Sequence, residues 1–300
     1  MAFADILEGA GLVPKFIEDT DFTSEIRAFV FDNQRKDKRE GWHISMMAEC
    51  CPRHEIFKII DPKPDQDLKK PDAIVNMDIG TAMHDFIRLK YLGPMGNLVG
   101  DWVCTNKNCN DVVKYSKMPY PNVCPKCENS YNYSEPKVYC PEGSGLKGSF
   151  DGLLRFERSG NVVRRVLEIK SKDSNLFFRL KQPDWEHVYQ LSNYLSLPLV
   201  DANQIPNWGE INEGTILYAA KGLGNTFNMK AFTIKVDKTY LEQSRSKIST
   251  VKMSVENKVL PQGICKAPDE KRAMRCSHRL ECFNSFYKAN FAALENRGKK

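Results

Sequence analysis

What the chain lacks narrows its reading first. Its 300 residues contain no apolar run near the roughly 18–20 residues that a membrane-spanning helix needs. No G-x4-G-K-[ST] stretch occurs, which excludes a P-loop nucleotide motor within these residues. The opening, MAFADILEGAGLVPKF, lacks the basic patch and long apolar stretch of a secretory signal. The expectation is therefore a cytoplasmic chain with no membrane partner. Excess charge is also scarce: 44 Lys+Arg stand against 38 Asp+Glu, a net +6 that is compatible with a polyanion partner but requires none. Low-complexity tracts and internal repeats are missing, and 41% hydrophobic with 27% charged residues fits a folded globular chain. The length suggests one large domain with an insertion, or two smaller ones.

Cysteine is not scarce. Ten are present, and in a reducing compartment clustered cysteines point to metal or reactive thiols rather than disulfides. One set is local: Cys104 and Cys109 in VCTNKNCND, then Cys124 and Cys127 in NVCPKCENS, a C-x4-C-x14-C-x2-C pattern. Two close pairs joined by a hairpin bring four thiolates into a tetrahedron, the zinc-ribbon arrangement, and Asn106, Asn108, Pro125 and Lys126 suit the knuckle turns. Residues 100–140 are polar and turn-rich, so zinc is expected to supply much of their folding energy. Cys140 reads as a spare buried thiol. The second set is dispersed: Cys265, Cys276 and Cys282 near the C-terminus, with Cys50 or Cys51 in AECCPRHEIF as the fourth member. Four such thiolates hold either zinc or an iron–sulfur cluster.

The hydropathy pattern predicts an N-terminal helical extension over residues 1–44 ending near the charge run NQRKDKRE. A helix is expected from about Ser45 through MMAECCPRHEIFKII, and another from IVNMDIGTAMHDFIRLKYLG to Gly93-Pro94. Strands are predicted over 149–157 and 162–170 with ERSGN as their turn, then a helix over DWEHVYQLSNYLSL with proline on either side. GTILYAAKG and MKAFTIKV read as two further strands, and KTYLEQSRSKISTVKMSVENK as a long polar helix. Helices alternating with strands make an α/β sheet with helices packed on it.

Within LEIKS, alternation puts Glu168 and Lys170 on one strand face and Leu167 and Ile169 on the other, while Asp151 on the neighbouring strand can share the polar face. Two carboxylates with a lysine suit a Mg²⁺ or Mn²⁺ site with a cationic helper. His84, in GTAMHDFI, can add an imidazole ligand. Gln190 and Tyr194 are four apart and lie on one helix face.

Taken in order, His84, Asp151, Glu168-Ile169-Lys170 and Gln190-x3-Tyr194, with Gly80 before the histidine and GSFDG around the aspartate, resemble the motifs of the PD-(D/E)XK nuclease superfamily in its RecB-like branch. The similarity spans roughly residues 45–285. The resemblance is closer still to iron–sulfur exonucleases of the AddB and CRISPR-associated type, which carry one cysteine before the histidine and three after the Q-x3-Y helix. The resemblance implies a restriction-endonuclease-like α/β fold: a central mixed sheet flanked by helices, here with an inserted zinc ribbon and a cysteine cluster joining the N- and C-terminal regions. It implies nuclease core parts at 45–99 and 141–262, separated by the ribbon at 100–140 and followed by the cysteine region at 263–300.

It further implies Mg²⁺ or Mn²⁺ on His84, Asp151, Glu168 and the Ile169 carbonyl, with Lys170 assisting the attacking water and Gln190 and Tyr194 orienting the DNA. A [4Fe–4S] cluster, or a second zinc, would sit on Cys51, Cys265, Cys276 and Cys282. The implied activity is hydrolysis of DNA from single-stranded ends in recombination, repair or replication. A helicase or other recombination protein would be the partner, acting in the cytoplasm or, for a phage-encoded chain, in the host cytoplasm. The rival readings are an endonuclease on the same fold and a non-catalytic nucleic-acid-binding scaffold. Two features depart from the family pattern: Cys265-x10-Cys276 is longer than the usual C-x2-C, and the ribbon between His84 and Asp151 is additional.

Overall fold

The computed structural model describes residues 41–60, 71–221 and 228–284, with short helical pieces at 24–25 and 28–30. Most of the N-terminal helical extension expected over 1–44 lies outside these residues; of its described part, 24–25 and 28–30 are helical and Trp42–His43 is a strand. Two compact units partition the chain: Met1–Asp37 with Asp67–Asp78, and Lys38–Gln66 with Ile79–Lys300. In the first, the described part is helical. The second holds every described strand and each candidate site residue.

In chain order the described elements from Trp42 are β1 (Trp42–His43), α1 (Ile44–Met47), α2 (Pro52–Ile60), α3 (Pro71–Phe86), a π-helical turn (Ile87–Leu92), β2 (Leu98–Cys104), β3 (Val112–Lys117), β4 (Tyr131–Ser134), β5 (Lys137–Tyr139) and β6 (Leu146–Ser149). Then come β7 (Gly152–Arg158), β8 (Asn161–Asp173), α4 (Ser174–Arg179), α5 (Trp185–Ser196), a 3-10 turn (Trp208–Glu210), β9 (Glu213–Lys221), β10 (Met229–Lys235), α6 (Thr239–Glu256), α7 (Lys271–Met274) and α8 (Arg279–Phe283).

Seven strands form a mixed sheet in the order β10-β9-β8-β7-β2-β3, with β4 also on β2; β1, β6 and β5 make a small second sheet. β8 and β9 pair in parallel through the α4–α5 crossover, and the other pairs of the large sheet are antiparallel. This is the expected α/β arrangement with a mixed central sheet. Alternation along β8 divides the core. Val166 packs with Phe150, Leu153, Tyr189, Leu191 and Tyr194 on the α5 side. Leu167 and Ile169 pack with Ile87, Leu98, Trp102 and Tyr133 on the other.

Two predicted helices are broken where the sequence suggested continuity. The run from Ser45 is interrupted between Met47 and Pro52. A proline lacks the N–H an interior position needs but suits a first turn, so α2 starts afresh there. The helix expected to reach Gly93 keeps α geometry only to Phe86. It then widens, with Gly93 N–H donating to the Arg88 carbonyl at 2.8 Å. Such π turns are frequent at functional sites, and Arg88 lies buried within this one. The segment at 100–140 supplies β3, β4 and most of β2 to the large sheet. Trp102, Tyr131 and Tyr133 share a buried cluster with Leu154 and Leu167.

Candidate active site and metal centres

The sheet brings the two carboxylates side by side. Gly152 is paired with Leu167, so Asp151, one residue earlier, falls beside Glu168. Both are buried, at 8% and 4% exposure. Asp151 Oδ2 accepts the Ile169 backbone N–H at 2.6 Å, and its Oδ1 lies 3.0 Å from His84 Nδ1. Glu168 accepts from Lys170 Nζ at 2.7 Å and from Gln190 Nε2 at 2.9 Å. Gln190 also accepts from Lys170 at 2.9 Å and donates to Tyr194 OH at 2.7 Å. The six residues singled out by side chain thus fall into two bonded groups, His84 with Asp151 and Lys170, Glu168, Gln190 and Tyr194 together, brought side by side where Asp151 accepts from the backbone of Ile169. Gly80 places α3 against the sheet: a Cβ there would stand 3.0 Å from Ser171 Oγ. One turn further on, His84 reaches Asp151.

The two acids are poised differently. Burial pushes Glu168 up to about 7 against the pull of Lys170, with Asp151 adding to the rise. Burial would also raise Asp151, but His84, the Ile169 N–H and Arg88 outweigh it and hold the carboxyl below its usual range. Asp151 is thus ionised at neutral pH, and Glu168 gives up its proton readily to an arriving cation. The donor set of two carboxylates and an imidazole suits a hard divalent ion.

No protein-family model matches the chain, and no curated protein matches it. Among solved structures it is similar to an alkaline exonuclease from Laribacter hongkongensis, at 12% identity and TM-score 0.39, covering 78% of this chain and 93% of that one. It is similar too to SSO0001, at 15% identity and TM-score 0.37, covering 76% and 85%. The Laribacter hongkongensis enzyme in complex with dAMP overlaps at 11% identity and TM-score 0.35, covering 78% and 93%. Overlap at this level assigns no activity.

The local cysteines form a ready metal centre. Sγ atoms of Cys104, Cys109, Cys124 and Cys127 all lie within 4.8 Å of one another, with Cys104–Cys127 at 3.3 Å and Cys109–Cys124 at 3.6 Å. A tetrahedral zinc with Zn–S near 2.3 Å sets its sulfurs about 3.8 Å apart, so the tetrad fits one. Among the described residues no other group of three or more such ligands closes to that distance. The knuckles are tied by Cys109 N–H to Asn106 O at 2.9 Å and Cys124 N–H to Asn129 O at 2.7 Å. The Asn129 backbone N–H lowers the Cys127 thiol to about 6, while burial raises Cys109 to about 12.

The dispersed cysteines come within electrostatic reach of one another but do not close as the tetrad does. Cys282 feels the charges of Cys51, Cys276 and Cys265, and Cys265 feels Cys51 and Cys276. Cys276 Sγ is 3.2 Å from His54 Nδ1. Cys50 instead joins the main core, where burial raises its thiol to about 12. Cys140 is also in that core, 3.9 Å from Arg245 Nη2.

Three contributors escaped the sequence reading. Arg88 bonds Asp85 and Glu135, each at 2.6 Å, and stands 4.0 Å from Asp151 Oδ1. Its position four after His84, on one helix face, was the available signal. Glu135, whose other oxygen accepts from Ser149 Oγ at 3.0 Å, had none. His187, three before Gln190 on α5, sits 2.7 Å from Tyr218 OH. Burial, helped by Lys170, lowers its imidazole to about 4.

A base whose folded pKa is depressed loses stability as pH falls. For His187 the window runs from its ordinary 6.5 down to about 4. His187→Gln keeps an acceptor for Tyr218 and cannot titrate. Its acid melting curve should be flatter than wild type across that window, by about 2 kcal/mol after allowing for partial exposure. Parallel curves for the two proteins would show that His187 is not held neutral.

Proposed function

We propose that the chain is a metal-dependent nuclease of the PD-(D/E)XK type, hydrolysing DNA phosphodiester bonds and acting from single-stranded ends. The observation that carries this reading is Lys170 Nζ, 2.7 Å from Glu168 and 2.9 Å from Gln190, beside an Asp151 held by His84 and the backbone of Ile169. His84, Asp151, Glu168 and the Ile169 carbonyl would hold Mg²⁺ or Mn²⁺. Once bound, the ion would polarise the phosphoryl oxygen and acidify a water. Lys170 orients that water and offsets charge developing on the phosphoryl group. Gln190 keeps Lys170 and Glu168 in register, and Tyr194 fixes the Gln190 amide. Arg88 holds Asp151 in place against the repulsion of Glu168.

The tetrad at 104–127 is read as a zinc ribbon within the segment 100–140, lying between core parts 45–99 and 141–262. Cys51, Cys265, Cys276 and Cys282, the last three in the region 263–300, are read as the cage of a [4Fe–4S] cluster or a second zinc. Unwinding would come from a helicase or other recombination partner in the cytoplasm.

The test is digestion of end-labelled linear and circular single-stranded DNA with Mn²⁺, beside Glu168→Ala. Linear strands that shorten from an end, surviving circles and an inert variant are the expected outcome. Cut circles would replace the exonuclease mode with an endonuclease. DNA bound equally by both proteins and cut by neither would leave a binding module.

A further inference from the structure

Near the dispersed cysteines lies a charge with no visible counterpart. Arg53, in the first turn of α2 and two residues after Cys51, is buried at 8% exposure. Its Nε and Nη2 are enclosed and make no hydrogen bond. Its guanidinium lies 6.0 Å from the Phe57 ring centroid, and Phe57 stacks on His278 at 5.4 Å. Those rings pack the side chain without accepting from these two N–H groups. A buried guanidinium with unused donors is costly unless an anion meets it.

The cysteine cage offers a candidate anion beside it. Gly263 marks how closely the two approach: a Cβ there would stand 3.4 Å from Cys282 Sγ and 3.5 Å from Arg53 Cδ. Four thiolates around a doubly charged centre, zinc or [4Fe–4S], keep about two net negative charges whichever is bound.

We propose that Arg53 is a positioning residue for the metal cage, its buried N–H groups serving the metal-bound thiolate of Cys282. This rests on the reading of Cys51, Cys265, Cys276 and Cys282 as a metal site, and it adds a device that metal-free packing alone does not explain. Arg53 is strained by lack of a partner when the cage is empty and satisfied when it is filled. Folding of the C-terminal cysteine region onto α2 is thereby coupled to metal loading. His54, the next residue, is 3.2 Å from Cys276 and would serve as a second orienting group.

The sign of the effect separates this role from packing. In the metal-free full-length chain, Arg53→Met removes an uncompensated buried charge, so its melting temperature should equal or exceed that of metal-free wild type. In the loaded protein, prepared without oxygen, the same variant should release metal from the cage to a chelator with an affinity lower by about 10–100-fold. Metal bound by wild type minus that bound by Cys51→Ser counts the ions in this cage. Arg53→Lys, which keeps the charge but not the fork, should fall between wild type and Arg53→Met, and it decides the matter if the latter does not fold. Two results would overturn the proposal while leaving the cage intact: wild-type metal retention in both variants, or an equal fall in melting temperature with and without metal. A zero difference between wild type and Cys51→Ser would remove the cage itself, and the proposal with it.

Discussion

Glu168→Gln is expected to abolish metal-dependent cleavage while stabilising the metal-free protein above neutral pH. The loss follows from removing one of two carboxylates from the proposed ion site and should reach about 10³-fold or more, roughly 4 kcal/mol of barrier. The gain follows from burial. Glu168 is 4% exposed, and its pKa is raised to about 7 from an ordinary 4.5. An acid whose folded pKa lies above its unfolded value costs nothing below the unfolded pKa. The cost grows as pH rises through that interval and is complete above the folded value. Glutamine does not titrate and can still accept from Gln190 Nε2, now 2.9 Å from Glu168 Oε1. The stability difference between variant and wild type should therefore be small at pH 4, grow to about 2–3 kcal/mol near pH 8, and shrink again when Mn²⁺ is added, because only wild type would bind it. Melting curves at pH 4 and 8, with and without Mn²⁺, check each part. A variant less stable than wild type at pH 8 without metal would mean that the Lys170 pairing outweighs burial, and the poise assigned to Glu168 would be wrong.

The same residues show which parts of the molecule were readable beforehand. β7 and β8 were legible because Leu167 and Ile169 alternate with Glu168 and Lys170, and the strands run as Gly152–Arg158 and Asn161–Asp173. α5 was legible because proline precedes and follows it, and its Gln190–Tyr194 spacing needed only helical geometry to become a contact. The local cysteine tetrad was legible from spacing alone. Arg88 was not. It sits in a turn whose carbonyl bonds five residues ahead, a choice made by packing rather than by composition. Glu135 could not be found either, because its place beside Arg88 comes from a sequence separation of 47 residues. The union of β2, β3 and β4 with the main sheet was hidden for a related reason. Strand pairing is a long-range property, and a turn-rich stretch carries the signal of its loops more loudly than that of its strands. β1, β5 and β6, at two to four residues each, are too short to show any period.

That shared sheet determines what loss of the local metal centre should do. Cys124 is fully buried in the cluster that holds Trp102, Tyr131 and Tyr133, and Cys104 is the last residue of β2, whose opening residues pair with β7. If the tetrad holds the zinc proposed for it, Cys124→Ser should cost one bound ion per chain and lower the melting temperature by about 10 °C, since a lost structural zinc withdraws several kcal/mol and each is worth about 2–4 °C in a protein of this size. The damage should begin at the knuckles and run along β2. Trp102, whose indole N–H donates to Ser116 O at 3.0 Å, reports it as a red shift in fluorescence that a Trp102→Phe control lacks. A chelator should reproduce the shift in wild type and add nothing in the variant. If β2, β3 and β4 were instead held by their strand pairing and aromatic cluster alone, Cys124→Ser would lose its zinc with no shift and a melting temperature within about 2 °C of wild type, a change below 1 kcal/mol. The tetrad would then be a docking or sensing centre rather than a structural one. Retained zinc in the variant would mean that the ion is held elsewhere, and the assignment of the tetrad would fall.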